Sequence, residues 1–299
     1  MTGEQSTWSS PPEPAPSSSD KGVAELGEIV VFIDGTESGA GILEFAGALA
    51  QEHDARLIGV FMLPEAAITP PETFARGKGI PKVIEAHQAQ LEGIEAEHRA
   101  LFEDIVRRHG IRSEWRPLPH LSSDVVVHTH YADLAVIARP TGETADPPGL
   151  VESLVLTSGR PIIILPPRST ASRVRRILVG WNGAREAVRA VADALPLLVR
   201  AAAVEVLVVD PQRHQDSHGQ EPGADIARHL ARHGAHVEVR RLSSGGEDVG
   251  RVLLSQAAAF NADLVVMGAY GHSHLSGWVF GSVTRTVLRE AGVAVLMSR

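Results

Sequence analysis

Residues 262–284 read ADLVVMGAYGHSHLSGWVFGSVT. The apolar run Leu264–Met267 ends at Gly268, and Gly271 follows three residues later. Nine residues then lead to Gly281-Ser282, which opens a helical segment. A short continuous apolar run bounded by glycine is the pattern of a buried strand. Glycines allow close backbone approach. Amides at a helix start attract an anion without needing a lysine, and Ser282 and Thr284 add hydroxyl donors. Strand, glycine loop and helix start together predict a phosphate cradle.

Working outward, the same order of elements occurs twice. Glu28–Asp34 (EIVVFID) is an apolar run ending in Asp-Gly, and Ile42, Phe45, Ala46 and Leu49 follow at helical spacing. Leu57–Met62, Ala132–Ala138 (ADLAVIA) and Pro161–Leu165 read as further strands. Later, Arg176–Trp181 (RILVGW) precedes Asn-Gly, and Val188, Val191, Ala192 and Leu195 repeat the helical spacing. Val204–Val209, His236–Leu242, Ala262–Met267 and Val293–Met297 complete the second set. ADLVVM echoes ADLAVIA, so the chain reads as two copies of one unit. Apolar strands alternating with helices predict parallel sheets covered on both faces. The expectation is two tandem, doubly wound, five-stranded α/β domains at 28–167 and 174–299, separated by PPRSTASR. Residues 1–27, rich in Ser and Pro, read as a disordered tail.

The G-x2-G-x9-G-S spacing after a fourth strand resembles the nucleotide-binding motif of the universal stress proteins, and ILVGWNG resembles that family's first strand and turn. The resemblance covers nearly everything after the tail. It implies a Rossmann-like fold with strand order 3-2-1-4-5. It also implies ATP, with Mg²⁺ or Mn²⁺ on its phosphates, between the ends of strands one and four of the second domain. By position, Gly268, Gly271, Gly281 and Ser282 would hold phosphates and ribose, with Met267, Val283 and Thr284 close by. Val209 would border the adenine. Asn182 stands where the family often has an adenine-contacting Asp, and its carbonyl can still accept from an adenine amino group. Trp181 either stacks on the base or obstructs it.

The first half keeps Asp34-Gly35-Thr36 but has Arg139-Pro-Thr-Gly-Glu-Thr-Ala-Asp-Pro-Pro-Gly-Leu after its fourth strand. The paired glycines are missing and proline removes amide donors, so this half reads as a degenerate site with Arg139 as a surface charge. Residues 81–109 form a long amphipathic segment with His87, Leu91, Ile94, His98, Leu101 and Ile105 along one seam. Plain packing is the expected role of that seam, with partner binding the sharper alternative.

Other signals are weaker. Ser244-Gly-Gly-Glu-Asp248 imitates a pyrophosphatase loop but precedes a helix, where it suits an N-cap. Fourteen histidines show no metal-binding frame, although His272 and His274 lie in the glycine loop. No Walker loop, nucleophile elbow or catalytic carboxylate pair is present. Any ATP turnover should therefore be slow.

The 299 residues are 43% hydrophobic and 21% charged, enough to bury a core. The absence of cysteine excludes disulfides and thiolate metal sites. A net charge of -8 with only three lysines (Lys21, Lys78, Lys82) argues against general nucleic-acid or membrane binding. The start lacks a secretion signal's basic and apolar regions, so a cytoplasmic location is expected. The expected assembly is a homodimer or an internal pseudo-dimer. ATP is expected to order the 269–281 loop for an unidentified protein partner, with a nucleotide-free scaffold as the rival reading.

Overall fold

The structure, a computed structural model, describes residues 25–35, 39–62, 79–118, 123–139, 149–167, 169, 173–214, 221–269 and 281–299. The first half runs β1 (Glu28–Ile33), α1 (Gly39–His53), β2 (Arg56–Met62), α2 (Gly79–His109), β3 (Ser113–Leu118), β4 (Leu134–Ala138), α3 (Leu150–Thr157) and β5 (Ile162–Leu165). The second runs β6 (Arg176–Gly180), α4 (Arg185–Leu198), β7 (Ala203–Val209), α5 (Ala224–Arg232), β8 (Val237–Leu242), α6 (Val249–Ala259), β9 (Leu264–Gly268), α7 (Ser282–Glu290) and β10 (Ala294–Ser298).

Each half has the parallel order 3-2-1-4-5, but the two sheets are not separate. They join as one ten-stranded sheet, β3-β2-β1-β4-β5-β10-β9-β6-β7-β8. The seam is antiparallel, with Ile162, Ile163 and Ile164 opposite Met297, Leu296 and Val295. Alternate strand residues feed two apolar layers. Ile29, Val31 and Ile33 pack with α1, α2, α4 and α5; Val30 and Phe32 pack with α3, α6 and α7. Both layers run across the seam. At ~25 cal/mol per Å² of apolar area, such burial supplies the main favourable term for folding.

The echo between ADLAVIA and ADLVVM has a structural cause. Asp133 Oδ2 accepts from the Gly27 and Glu28 amides at 2.8 and 3.0 Å. Asp263 Oδ2 accepts from the Arg175 and Arg176 amides at 2.9 and 2.8 Å. In each half this aspartate latches the start of the first strand to the start of the fourth. Leu26, just before the latch, is buried at 4% exposure, so order begins before residue 28. Residues 1–24 lie outside the described residues.

Two expectations are corrected. The spacing of Val188, Val191, Ala192 and Leu195 does not mark the buried face of α4. Val188 is 52% exposed, and the helix instead buries Ala187, Ala190, Val191, Ala194, Leu197 and Leu198. Alanines bring the helix close to the sheet, and a pattern weighted to large side chains misses them. The strand β3 (SEWRPL) went unread because it is an edge strand with a proline inside it. Its exposed side carries charge, and an edge tolerates Pro117. The seam of α2 is packing where its side chains are described: Ile105 is buried, Ile94, His98 and Leu101 are half-buried, and the His98 ring lies 5.5 Å from Phe61. The His87 side chain is outside the description. Among the described residues no helix is long and apolar enough to cross a membrane.

Candidate functional site

Open parallel sheets bind ligands beyond the carboxyl ends of their strands, where the strand order reverses. In the second half that point lies between β6 and β9. A cavity of about 290 Å³ opens there, near the lower end of the range for small-molecule sites. Of the sequence-predicted residues, Asn182, Val209, Met267, Gly268, Gly281, Ser282, Val283 and Thr284 all line it. Gly271, His272 and His274 lie outside the described residues.

Each wall follows from a local cause. Met267 is the last apolar residue of β9, and Leu207 and Val209 share one face of β7 by the period of two. With Leu253 of α6 they make an apolar wall suited to a flat ring. Gly281 is the N-cap of α7 and places no side chain over it; the cap makes no side-chain hydrogen bond. The first-turn amides of a helix have no intrahelical acceptor, so those of α7 are left for a ligand. Ser282 is exposed beside them, while Thr284 is buried at 3% exposure. Apolar wall and uncapped helix start fit the two ends of a nucleotide.

Gly268 has a different reason for being glycine. A Cβ there would lie 2.5 Å from both the Ala187 nitrogen and the Glu186 carbonyl carbon. The close approach is to the first turn of α4 rather than to a phosphate. Asn182 is exposed at the rim, and its Oδ1 already accepts from the Ala184 amide at 3.0 Å, forming the turn into α4. One carbonyl lone pair remains for a ligand. Trp181 forms an edge of the cavity and packs on the α4-side layer.

Sequence reading missed Glu186 and Asp210. Glu186 sits in the first turn of α4 and carries no motif. Asp210 is buried after β7, with a left-handed φ of 48°. It accepts from the Ser244 amide at 2.7 Å and the Ser244 hydroxyl at 2.5 Å. It therefore braces the SGGED loop against β7, while Asp248 caps α6 through the Arg251 amide at 3.2 Å. A polar residue directly after an apolar strand is the signal that could have marked Asp210. Among the described residues lining the cavity there are two carboxylates and no lysine, arginine or histidine.

Arg139 is not a surface charge. It is half-buried, and its Nη1 donates to the Leu288 and Ala291 carbonyls at 3.0 Å each. Burial pulls its pKa below the ordinary arginine value. A cation from the first half thus caps the C-terminal end of α7, whose N-terminal end forms the cavity. Among the described residues, no group of three or more His, Asp or Glu converges as a metal site.

A family model described as the universal stress protein family matches residues 173–299. The chain is similar in fold to a crystal structure of a universal stress protein from Archaeoglobus fulgidus DSM 4304. That comparison has a TM-score of 0.65 at 16% identity, covering 91% of this chain and 98% of the other. It is also similar to a functionally unknown protein from Pseudomonas aeruginosa PAO1, with a TM-score of 0.59 at 14% identity, covering 91% and 92%. No curated protein sequence is significantly similar to the chain.

Proposed function

We propose that residues 173–299, which match the universal stress protein family model, bind ATP in the cavity between β6, β9 and α7 and report its presence to a protein partner. The observation that carries this reading is the convergence of eight sequence-predicted residues on one cavity with an uncapped helix start. Leu207, Val209, Leu253 and Met267 would take the base. Gly281, Ser282 and the first-turn amides of α7 would take phosphate, with Mg²⁺ or Mn²⁺ neutralising the rest. The role is binding rather than turnover. A bound state signals only through a difference in affinity between two states, and the surface at 269–281 is where that difference would be displayed.

The test is thermal unfolding of nucleotide-stripped protein with and without millimolar Mg-ATP. At ~100 times its dissociation constant a ligand stabilises by ~2.7 kcal/mol. The diagnostic variant is Gly281→Asp. An aspartate there would cap α7 as well as glycine or better while repelling phosphate. The expected result is an apo protein at least as stable as the parent, with no response to ATP. An undiminished ATP shift in that variant would sink the site.

A second reading, a nucleotide-free scaffold, draws on Asn182, whose carbonyl is already engaged in a turn. It predicts no ATP shift in the parent protein and a defined oligomer.

A further inference from the structure

A second cavity, of about 190 Å³, is lined by Val155, Leu156, Gly159, Arg160, Arg185 and Arg299. Two elements lead from its lining to that of the nucleotide cavity. Arg185 directly precedes Glu186, a wall residue of the larger cavity. Arg299 directly follows Ser298, which pairs with Gly268 across β9 and β10. The Ala269 amide donates to the Ser298 carbonyl at 2.8 Å, which fixes the two strand ends side by side.

Arg160 comes from the first half and is held in place. Its Nη2 donates to the His130 carbonyl at 2.9 Å, and its amide donates to Ser158 Oγ at 3.1 Å. Arg185 is 82% exposed, and its Nε lies 3.9 Å from Glu186 Oε1, a loose contact that a ligand can outcompete. Arg299 already has an interaction partner. Charge is thus divided between the cavities. Among their described lining residues, the larger has two carboxylate side chains and no cation; the smaller has three guanidinium groups, offset only by the main-chain carboxylate of Arg299. A ligand neutral at one end and polyanionic at the other matches that division, and guanidinium forks suit phosphate oxygens.

We propose that the two cavities act as one site, in which base, sugar and the phosphate at the start of α7 occupy the larger and the end of the phosphate chain reaches the arginine chamber. The site then selects nucleotides by the length of their phosphate chain. The first half, although its own motif is degenerate, contributes Arg160 to a ligand held by the second. This rests on the nucleotide reading above.

The experiment is calorimetric titration of the full chain with the magnesium complexes of AMP, ADP and ATP. In the parent, affinity should rise with each phosphate, reaching about tenfold or more between AMP and ATP. In Arg160→Gln/Arg185→Gln, ATP should fall to the AMP level while AMP binding is unchanged. Arg185→Gln alone, at an exposed position, should show part of the same loss without the risk of misfolding. Equal affinities for AMP, ADP and ATP in the parent would overturn the proposal and leave the nucleotide site standing. So would ATP binding that is indifferent to both arginines. A parent that binds none of the three would remove the nucleotide reading itself, and this proposal with it.

Discussion

At Gly268 a single methyl group would meet the backbone of α4 at 2.5 Å. Backbone cannot step aside as a flexible side chain can. Gly268→Ala is therefore expected to push the first turn of α4 off β9 and cost about 1–3 kcal/mol, read as a lower denaturant midpoint. ATP affinity should fall with it, because Glu186 and Ala187 form a cavity wall. His53 offers a second test at this scale. It closes α1 at 4% exposure, and its Nδ1 has no hydrogen-bond partner among the described residues. Burial first, and the nearby Arg200 cation second, hold its pKa down from 6.5 to about 4. Between those values the unfolded chain binds a proton that the folded chain refuses. Stability should thus be fully present above about pH 6.5 and fall as the pH drops toward 4, by at most ~1.4 kcal/mol per pH unit. His53→Leu should flatten that decline in urea midpoints taken from pH 7 to 5, and parallel declines in the two proteins would clear His53. The glycine spacing at 268–281 was legible as a motif, and its two described ends, Gly268 and Gly281, line the cavity. The packing reason for Gly268 was not, because its neighbour Glu186 lies 82 positions away in sequence.

Elements add what residues alone do not show. Helix α7 is engaged at both ends: its start faces the cavity, and its end is capped by Arg139 from the other half. A cation against C-terminal carbonyls is favourable both as a charge-assisted hydrogen bond and through the helix dipole. Replacement by Gln removes the charge and leaves carbonyls short of a donor. Arg139→Gln is expected to destabilise by about 1–3 kcal/mol and to raise hydrogen exchange at 287–291 before the rest of the second half. Retained protection there would mean the cap is dispensable. The strands were the most legible elements, since nine of ten were read close to their observed ends. The tenth, β3, pairs on one side only and carries Pro117, which breaks a strand pattern in the sequence. The packed face of α4 was misread because Ala187, Ala190 and Ala194 do by closeness what a pattern of leucines does by size.

For the whole molecule, the decisive feature is the seam. β5 and β10 are each other's outer neighbours, so among the described residues the edges of the sheet are β3 and β8. Separating the halves would uncover an apolar edge, which invites pairing. Residues 173–299 expressed alone should self-associate through β10, with a sedimentation-derived mass of twice the fragment. Met297→Lys should weaken that association, and a monomeric fragment at micromolar concentration would contradict the account. The sequence announced two units, and the family resemblance implied their order of strands. It held no sign of how they meet, because Ile162–Leu165 and Ala294–Ser298 read like any buried strands.

The cap by Arg139 also has a counterpart position, since Arg139 and Ala269 each donate their amide to the last residue of a fifth strand, Leu165 or Ser298. The backbones match and the side chains do not. In an assembly of two identical subunits every substitution near the axis arrives in duplicate, and an arginine that suits one side must be endured on the other. Joining both subunits in one chain removes that constraint. Each side can drift under its own selection, so one half is free to give up its ligand and become a dedicated support for its neighbour.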